Sequence, residues 1–264
     1  MSTRTEILKG CIMQADQSNL SQVGKVIIIT GASRGIGAEL AVKLAGQGHR
    51  VIVNYANAAK DAEALVAQII QRGGQASAFK ADVSQSAQVK ALFDFTEQSY
   101  GHIDVLINNA GVLSLAAITQ VDDADIERLI DINLKGSLYG MREAARRLQQ
   151  GGKIINLSSS VVGMNMENYG VYTATKAAVE SLGKILAKEL RGRNITVNNV
   201  APGPTATELF FSGKSNELIQ RLSKAAPLER LGTRTDIVNV LAFMVNNDSN
   251  WINAQTIRVN GGIV

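Results

Sequence analysis

A chain of 264 residues with 45% hydrophobic and 19% charged side chains can build one large core and is too apolar for a disordered segment. Its net charge of +4 comes from scattered basic residues without any run of like charges, which argues against nucleic acid as a partner. One cysteine, Cys11, excludes an intramolecular disulfide framework, and no apolar run reaches the roughly 18 residues that cross a bilayer, so a soluble cytoplasmic protein without membrane contact is expected.

Residues 1–22 carry no clear periodicity and read as an N-terminal extension, whereas 23–264 read as one domain with no linker. Val26 to Thr30 is an apolar run ending at a glycine-rich turn, and Ile36 to Ala45 then repeats apolar positions at helical spacing. The alternation continues with strand Val51 to Asn54, helix Ala59 to Gln71, strand Ala76 to Lys80, helix Ala87 to Tyr100 and strand Val105 to Asn108. A long helical stretch from about Asp125 to Leu148 leads to strand Lys153 to Leu157, helix Tyr172 to Leu190 and strand Thr196 to Val200. The last helix, near Asp236 to Val245, precedes a strand at Thr256 to Val259. Short continuous apolar strands, each followed by a helix, imply a parallel sheet buried on both faces, crossed over right-handedly. The expected architecture is α/β, a doubly wound Rossmann fold of about seven parallel strands. Arg142, Arg146 and Arg147, near the end of a helix, are expected to complement its dipole and face water.

The turn after the first strand reads Thr30-Gly31-Ala32-Ser33-Arg34-Gly35-Ile36-Gly37. Glycines there let the backbone approach a pyrophosphate, and the following helix offers N–H groups and a positive dipole end, so Gly31, Ser33, Arg34, Gly35, Ile36 and Gly37 are expected to hold a dinucleotide. The Lys-Ser/Thr ending of an ATP-type phosphate loop is missing, which favours a hydride carrier. An acid at the end of the second strand would bind the ribose of NAD, but the chain has Asn54-Tyr55-Ala56-Asn57. Without that acid, and with Arg34 available to a 2′-phosphate, NADP(H) is favoured over NAD(H).

Tyr172 and Lys176 stand four residues apart, one above the other on a helix face. A phenol is a poor proton donor or acceptor at neutrality, and a neighbouring ammonium that favours its anion would bring it toward working range. Three hydroxyls, Ser158, Ser159 and Ser160, lie just upstream as candidates to stabilise a developing oxyanion. His49 and His102 have no partners at metal-ligand spacing, so no metal is implied.

Taken together, Thr30 to Gly37, Asn108-Asn109-Ala110-Gly111, the serine cluster before Tyr172-x3-Lys176, and Pro202-Gly203 followed by Thr207 resemble the short-chain dehydrogenase/reductase superfamily. The likeness runs from about Val23 to Gly262 and is nearest to the single-domain branch with 3-oxoacyl-carrier-protein reductases. The resemblance implies that Tyr172 gives its proton to a carbonyl oxygen, that Lys176 holds the nicotinamide ribose, that Ser159 is the oxyanion anchor, and that Asn133 kinks its helix and feeds protons toward Lys176. It further implies cofactor contacts from Asp82, Val83, Asn109, Ala110, Gly111, Pro202, Gly203, Thr205 and Thr207. The substrate would be a small carbonyl or alcohol compound under a flap from Glu208 to about Ala226, with Leu209, Phe210 and Phe211 over its apolar part. Arg191 and Arg193 are expected beside the site, able to meet an acidic carrier protein, although Gln149 and Gln150 weaken that reading. A homotetramer or homodimer through the helices around Asp125 to Leu148 and Tyr172 to Leu190 is also implied.

Overall fold

The computed structural model describes residues 24–264; the expected extension, with Cys11, lies outside the described residues. Seven strands form one parallel sheet: β1 (Val26–Ile29), β2 (Arg50–Tyr55), β3 (Gln75–Lys80), β4 (Val105–Asn108), β5 (Lys153–Leu157), β6 (Thr196–Pro202) and β7 (Thr256–Val259), in the order β3-β2-β1-β4-β5-β6-β7. Strand side chains alternate between two cores. Ile27, Ile29, Val51 and Val53 pack with α1 (Gly35–Gly46) and α2 (Ala59–Gln71), whereas Ile28, Ile52, Leu106 and Ile154 pack with α3 (Ser86–Tyr100) on the opposite face. Burial on both faces is why these strands are apolar without a break. The chain winds outward from β1 in both directions, so the carboxyl ends of β1 and β4 part at a topological switch point, where doubly wound sheets form their cleft.

The expected long helix at Asp125 to Leu148 is three segments: α4 (Asp123–Leu129), a π-helical turn (Ile130–Lys135) and α5 (Gly136–Arg147). Asn133 sits inside the widened turn, fully buried, and its own carbonyl accepts from the Ser137 hydroxyl at 2.7 Å. The expectation that Arg147 faces water also fails. Packing of α5 on α3 brings its guanidinium to Asp94 (2.7 Å), Glu97 (3.2 Å) and the buried Glu143 (2.9 Å).

Four polar residues in register cross the second half of the sheet: Asn108, Asn156, Asn199 and Thr256. Asn108 Nδ2 donates to Asn156 Oδ1 (2.9 Å), Asn156 Nδ2 to Asn199 Oδ1 (3.1 Å) and Asn199 Nδ2 to Thr256 Oγ1 (3.3 Å). The helices on this face approach the ladder through glycine. A Cβ on Gly140 of α5 would lie 2.4 Å from Asn108 Oδ1, and one on Gly183 of α7 (Gly170–Glu189) 2.8 Å from Asn199 Oδ1. The ladder therefore sets the depth of α7, which carries Tyr172 and Lys176.

Beyond the sequence expectations, a short α6 (Val161–Met164) follows the serines, and the flap contains α8 (Glu208–Phe211) and α9 (Asn216–Ala225). Thr207 and Ser215 cap α8 and α9, accepting from Phe210 N and Leu218 N. The last helix, α10 (Arg234–Val245), opens with a capping box made by Thr233 and Asp236 and packs on α1.

Candidate active site

The cleft at the switch point has a volume of about 1130 Å³ and runs from the glycine turn to the flap. At its turn end, Gly31 adopts φ +60°, and a Cβ there would meet Ala110 Cα at 2.8 Å. Gly35, at φ +61°, faces open space at the first residue of α1, so the backbone N–H groups of the helix start are accessible from the cleft. Ser33, Arg34, Gly35, Ile36, Tyr55, Ala56, Asn57, Asp82 and Val83 all border this end. Arg34 is 73% exposed and stands 3.7 Å from Glu208 of the flap.

Three residues expected to contact a cofactor also brace the chain itself, and two of them, Asn54 and Asn109, line the cleft. Asn54 reaches the cleft wall, but its Oδ1 accepts from Gly31 N (3.1 Å) and its Nδ2 donates to Ala81 O (2.9 Å), so it fixes the turn. Asn109 likewise donates to Thr30 O (2.8 Å) and Gly31 O (3.0 Å). Gly37 lies behind the wall, where a Cβ would strike Asn109 Nδ2 at 2.6 Å. Its missing side chain allows the first helix to pack closely, a need shared by many glycines and therefore ambiguous in sequence. Thr30 was missed: its hydroxyl accepts from the N–H groups of both Asn109 and Ala110 at 3.0 Å and joins the two loops at the switch point.

At the other end, α7 presents Tyr172 and Lys176 on one face. Lys176 is 4% exposed, donates to Leu157 O at 2.8 Å, and its Nζ lies 5.8 Å from the centre of the Tyr172 ring. Burial pushes the lysine down to about 8 and the phenol up to about 12; a hydrogen bond with Ser159 pulls the phenol the other way without offsetting burial. The chain's own groups by themselves thus leave the phenol above its ordinary value; the expected lowering by Lys176 is joint with the charge of an oxidised nicotinamide. Desolvation penalises both charges.

The three serines separate cleanly. Ser158 Oγ donates to Glu180 Oε1 at 2.6 Å, whereas Ser160 Oγ donates to Ala201 O (3.1 Å) and accepts from Asn260 Nδ2 (3.0 Å). Ser159 remains beside Tyr172 in the cleft, with Val161 N donating to it at a long 3.4 Å. Asn133 is set back from the cleft: its amide accepts from Val112 N (2.8 Å) and donates to Val112 O (2.9 Å). Gly111 separates Asn133 from Lys176, since a Cβ there would lie 3.3 Å from Asn133 Oδ1 and 3.5 Å from Lys176 Nζ.

Pro202, Gly203, Thr205 and Thr207 border the cleft under the flap, with the Thr205 hydroxyl donating to Gly203 O at 2.8 Å. Leu209, Phe210 and Phe211 close the same side. Met164, Met166, Tyr169 and Lys214 also line it and were not anticipated, because they lie in a four-residue helix or in irregular segments, too short for periodicity to show. Arg193 does not reach the cleft; it donates to Ala145 O and, at 2.8 Å, to Leu148 O, closing the C-terminus of α5. Arg191 is outside the cleft as well. No group of His, Cys, Asp and Glu among the described residues is placed to hold a metal ion, and no helix among them is long and apolar enough to cross a membrane.

These features fit a phosphorylated dinucleotide: bare glycine backbone at a helix start, no acid at the end of β2, and an exposed guanidinium beside it. The family model described as enoyl-(acyl carrier protein) reductase matches residues 31–264. A short-chain type dehydrogenase/reductase of Picea abies is 45% identical over 91% of this chain and 93% of its own length. An NADPH-dependent aldehyde reductase-like protein of Arabidopsis thaliana, chloroplastic, is 41% identical over 94% of this chain and 97% of its own. Among solved structures, a short chain dehydrogenase from Burkholderia cenocepacia in complex with NADP has a TM-score of 0.86 at 31% identity, covering 92% of this chain and 99% of that one. With the fold, the glycine turn and the Tyr172–Lys176 pair all in place, these likenesses establish that the chain belongs to the short-chain dehydrogenase/reductase family.

Proposed function

We propose that the protein is an NADPH-dependent carbonyl reductase that converts a ketone or aldehyde to an alcohol. The observation that carries this reading is the convergence of Tyr172, Lys176 and Ser159 on one cleft whose far end is the glycine turn with Arg34. The NADPH-dependent Arabidopsis relative and the NADP-bound neighbour support the choice of cofactor. Gly31, Ser33, Gly35 and the start of α1 would hold the pyrophosphate, Arg34 the 2′-phosphate, and Asp82 and Val83 the adenine side. When bound, the nicotinamide supplies the hydride.

Ser159 donates a hydrogen bond to the substrate carbonyl oxygen and stabilises the negative charge that develops there. Tyr172, whose burial pushes it up to about 12, is protonated at neutral pH and donates its proton to the same oxygen. Lys176, held by Leu157 O, keeps a positive charge beside the phenolate that remains. Asn133 positions the loop after β4 through Val112 and so keeps Gly111 open between the two groups. At neutral pH the phenol holds its proton, the form that carbonyl reduction uses. Leu138 and Ile185, exposed on α5 and α7, supply the apolar contact for a homodimer or homotetramer through those helices, which light scattering would test.

The deciding experiment is Tyr172→Phe, assayed by NADPH oxidation with a panel of ketones and aldehydes. Turnover should fall by roughly 10²- to 10⁴-fold, while NADPH affinity, measured by fluorescence titration, changes little. Wild-type turnover in the variant refutes the assignment.

A further inference from the structure

Lys214 stands apart from the other cations among the described residues. It follows Gly213, whose φ of +71° turns the backbone between α8 and α9, and its Nζ is closed off from solvent with no hydrogen-bond partner among the described residues. Two aromatic rings flank the ammonium, Phe210 at 4.9 Å and Tyr169 at 5.9 Å from their centres. All three residues line the cleft, and Tyr169 stands edge-on to Tyr172 at 6.5 Å. The cation is thus one ring beyond the group that would protonate a carbonyl.

A desolvated ammonium supported only by ring faces is incompletely compensated. The acids that line the cleft are Asp82 and Glu208. Asp82 Oδ1 accepts from Ser84 N (2.9 Å) and Ser84 Oγ (2.8 Å), while Glu208 faces Arg34. Among the described residues Lys214 therefore has no anion as partner, and burial accordingly holds the lysine below its ordinary range. The cleft lining also includes the apolar side chains of Met166, Leu209 and Phe211.

Building on the carbonyl-reductase reading, we infer that Lys214 forms an anion subsite of the substrate cleft, so that the preferred substrates are oxo acids with an apolar or aromatic body and a carboxylate beyond the carbonyl. The carboxylate would supply the missing partner of Nζ. The apolar body would lie between Tyr169 and Phe210, and the carbonyl would reach Tyr172 and Ser159. A flap residue provides this contact, so an oxo acid would also hold the flap over the cleft, as a neutral ketone could not.

The test compares a series of aryl oxo acids, differing in the number of carbons between carbonyl and carboxylate, with their methyl esters. Wild-type protein should show higher kcat/KM for at least one acid than for its ester. In Lys214→Met that preference should fall roughly 10- to 100-fold, and Lys214→Arg should retain most of it. Calorimetric titration of the corresponding hydroxy acid into the protein with NADP⁺ should show the same loss of affinity in Lys214→Met. Equal losses for acid and ester, a wild type without acid preference, or a rise in the KM for NADPH with every substrate overturns the inference, the last by assigning Lys214 to the cofactor. Failure of the wild type to reduce any acid or ester overturns the reductase reading itself, whereas esters reduced without any acid preference overturn the subsite alone.

Discussion

Replacing Gly183 by alanine puts a methyl group 2.8 Å from Asn199 Oδ1 and 3.2 Å from Asn156 Nδ2, two atoms that bond each other at 3.1 Å in fully buried side chains. Neither amide can turn away without leaving a polar group unpaired, at about 1–3 kcal/mol, and a methyl forced into a filled site costs about 1–3 kcal/mol by itself. Alanine's better helix propensity returns only about 0.5–1 kcal/mol. The net expectation for Gly183→Ala is a loss of about 1–5 kcal/mol, which lowers Tm by about 2–4 °C for each kcal/mol in a chain of this size. Gly46→Ala is the control, because a Cβ at that position, the last of α1, meets nothing within 4 Å and only the propensity gain remains. Thermal unfolding followed by circular dichroism at fixed protein concentration should rank the proteins as Gly46→Ala, wild type, Gly183→Ala. A Gly183→Ala protein as stable as the wild type would show that the amide ladder does not set the seat of α7.

The three serines should respond differently. Ser159→Ala should reduce kcat by about 10²- to 10³-fold with little change in Tm, whereas Ser158→Ala should lower Tm because the Glu180 carboxylate loses its 2.6 Å donor; the reverse pattern would move the oxyanion role to Ser158. In steady-state assays, kcat/KM for carbonyl reduction should decline as pH rises through about 8, where Lys176 loses its proton while Tyr172, at about 12, still holds its own. A profile flat to pH 10 contradicts a charged Lys176 in the reaction. Lys153, 1% exposed with Ser249 Oγ as its hydrogen-bond partner at 2.9 Å, is held near 8 by burial. Between about 8 and its unfolded value of 10.5 the unfolded chain binds more protons, so stability rises with pH across that window. Lys153→Met should therefore raise the unfolding free energy at pH 7 by an amount on the order of 1–3 kcal/mol, read as a higher urea midpoint, with the difference narrowing toward pH 10; a midpoint below the wild type at pH 7 would refute the cost assigned to this buried cation.

Much of this molecule could be read along the chain, because apolar runs, helical repeats and glycine positions express constraints between near neighbours. The parallel sheet, the glycine turn at Gly31 and Gly35, and the four-residue stacking of Tyr172 on Lys176 are of this kind. Where a side chain spends its hydrogen bonds depends instead on partners far away in the chain. Ser160 is tied by Asn260, a hundred residues on, and Ser158 by Glu180, which leaves Ser159 facing the phenol. Asn54 and Asn109, equally suited to a ligand by type, brace the Gly31 turn through their side-chain amides. Ionisation follows the same rule, since it answers to how much water the folded surroundings remove: Tyr172 and Lys176 move away from their ordinary values in opposite directions, and Lys214, unremarkable in the run Phe211-Ser212-Gly213-Lys214, becomes an enclosed cation against two rings only when the flap folds over the cleft.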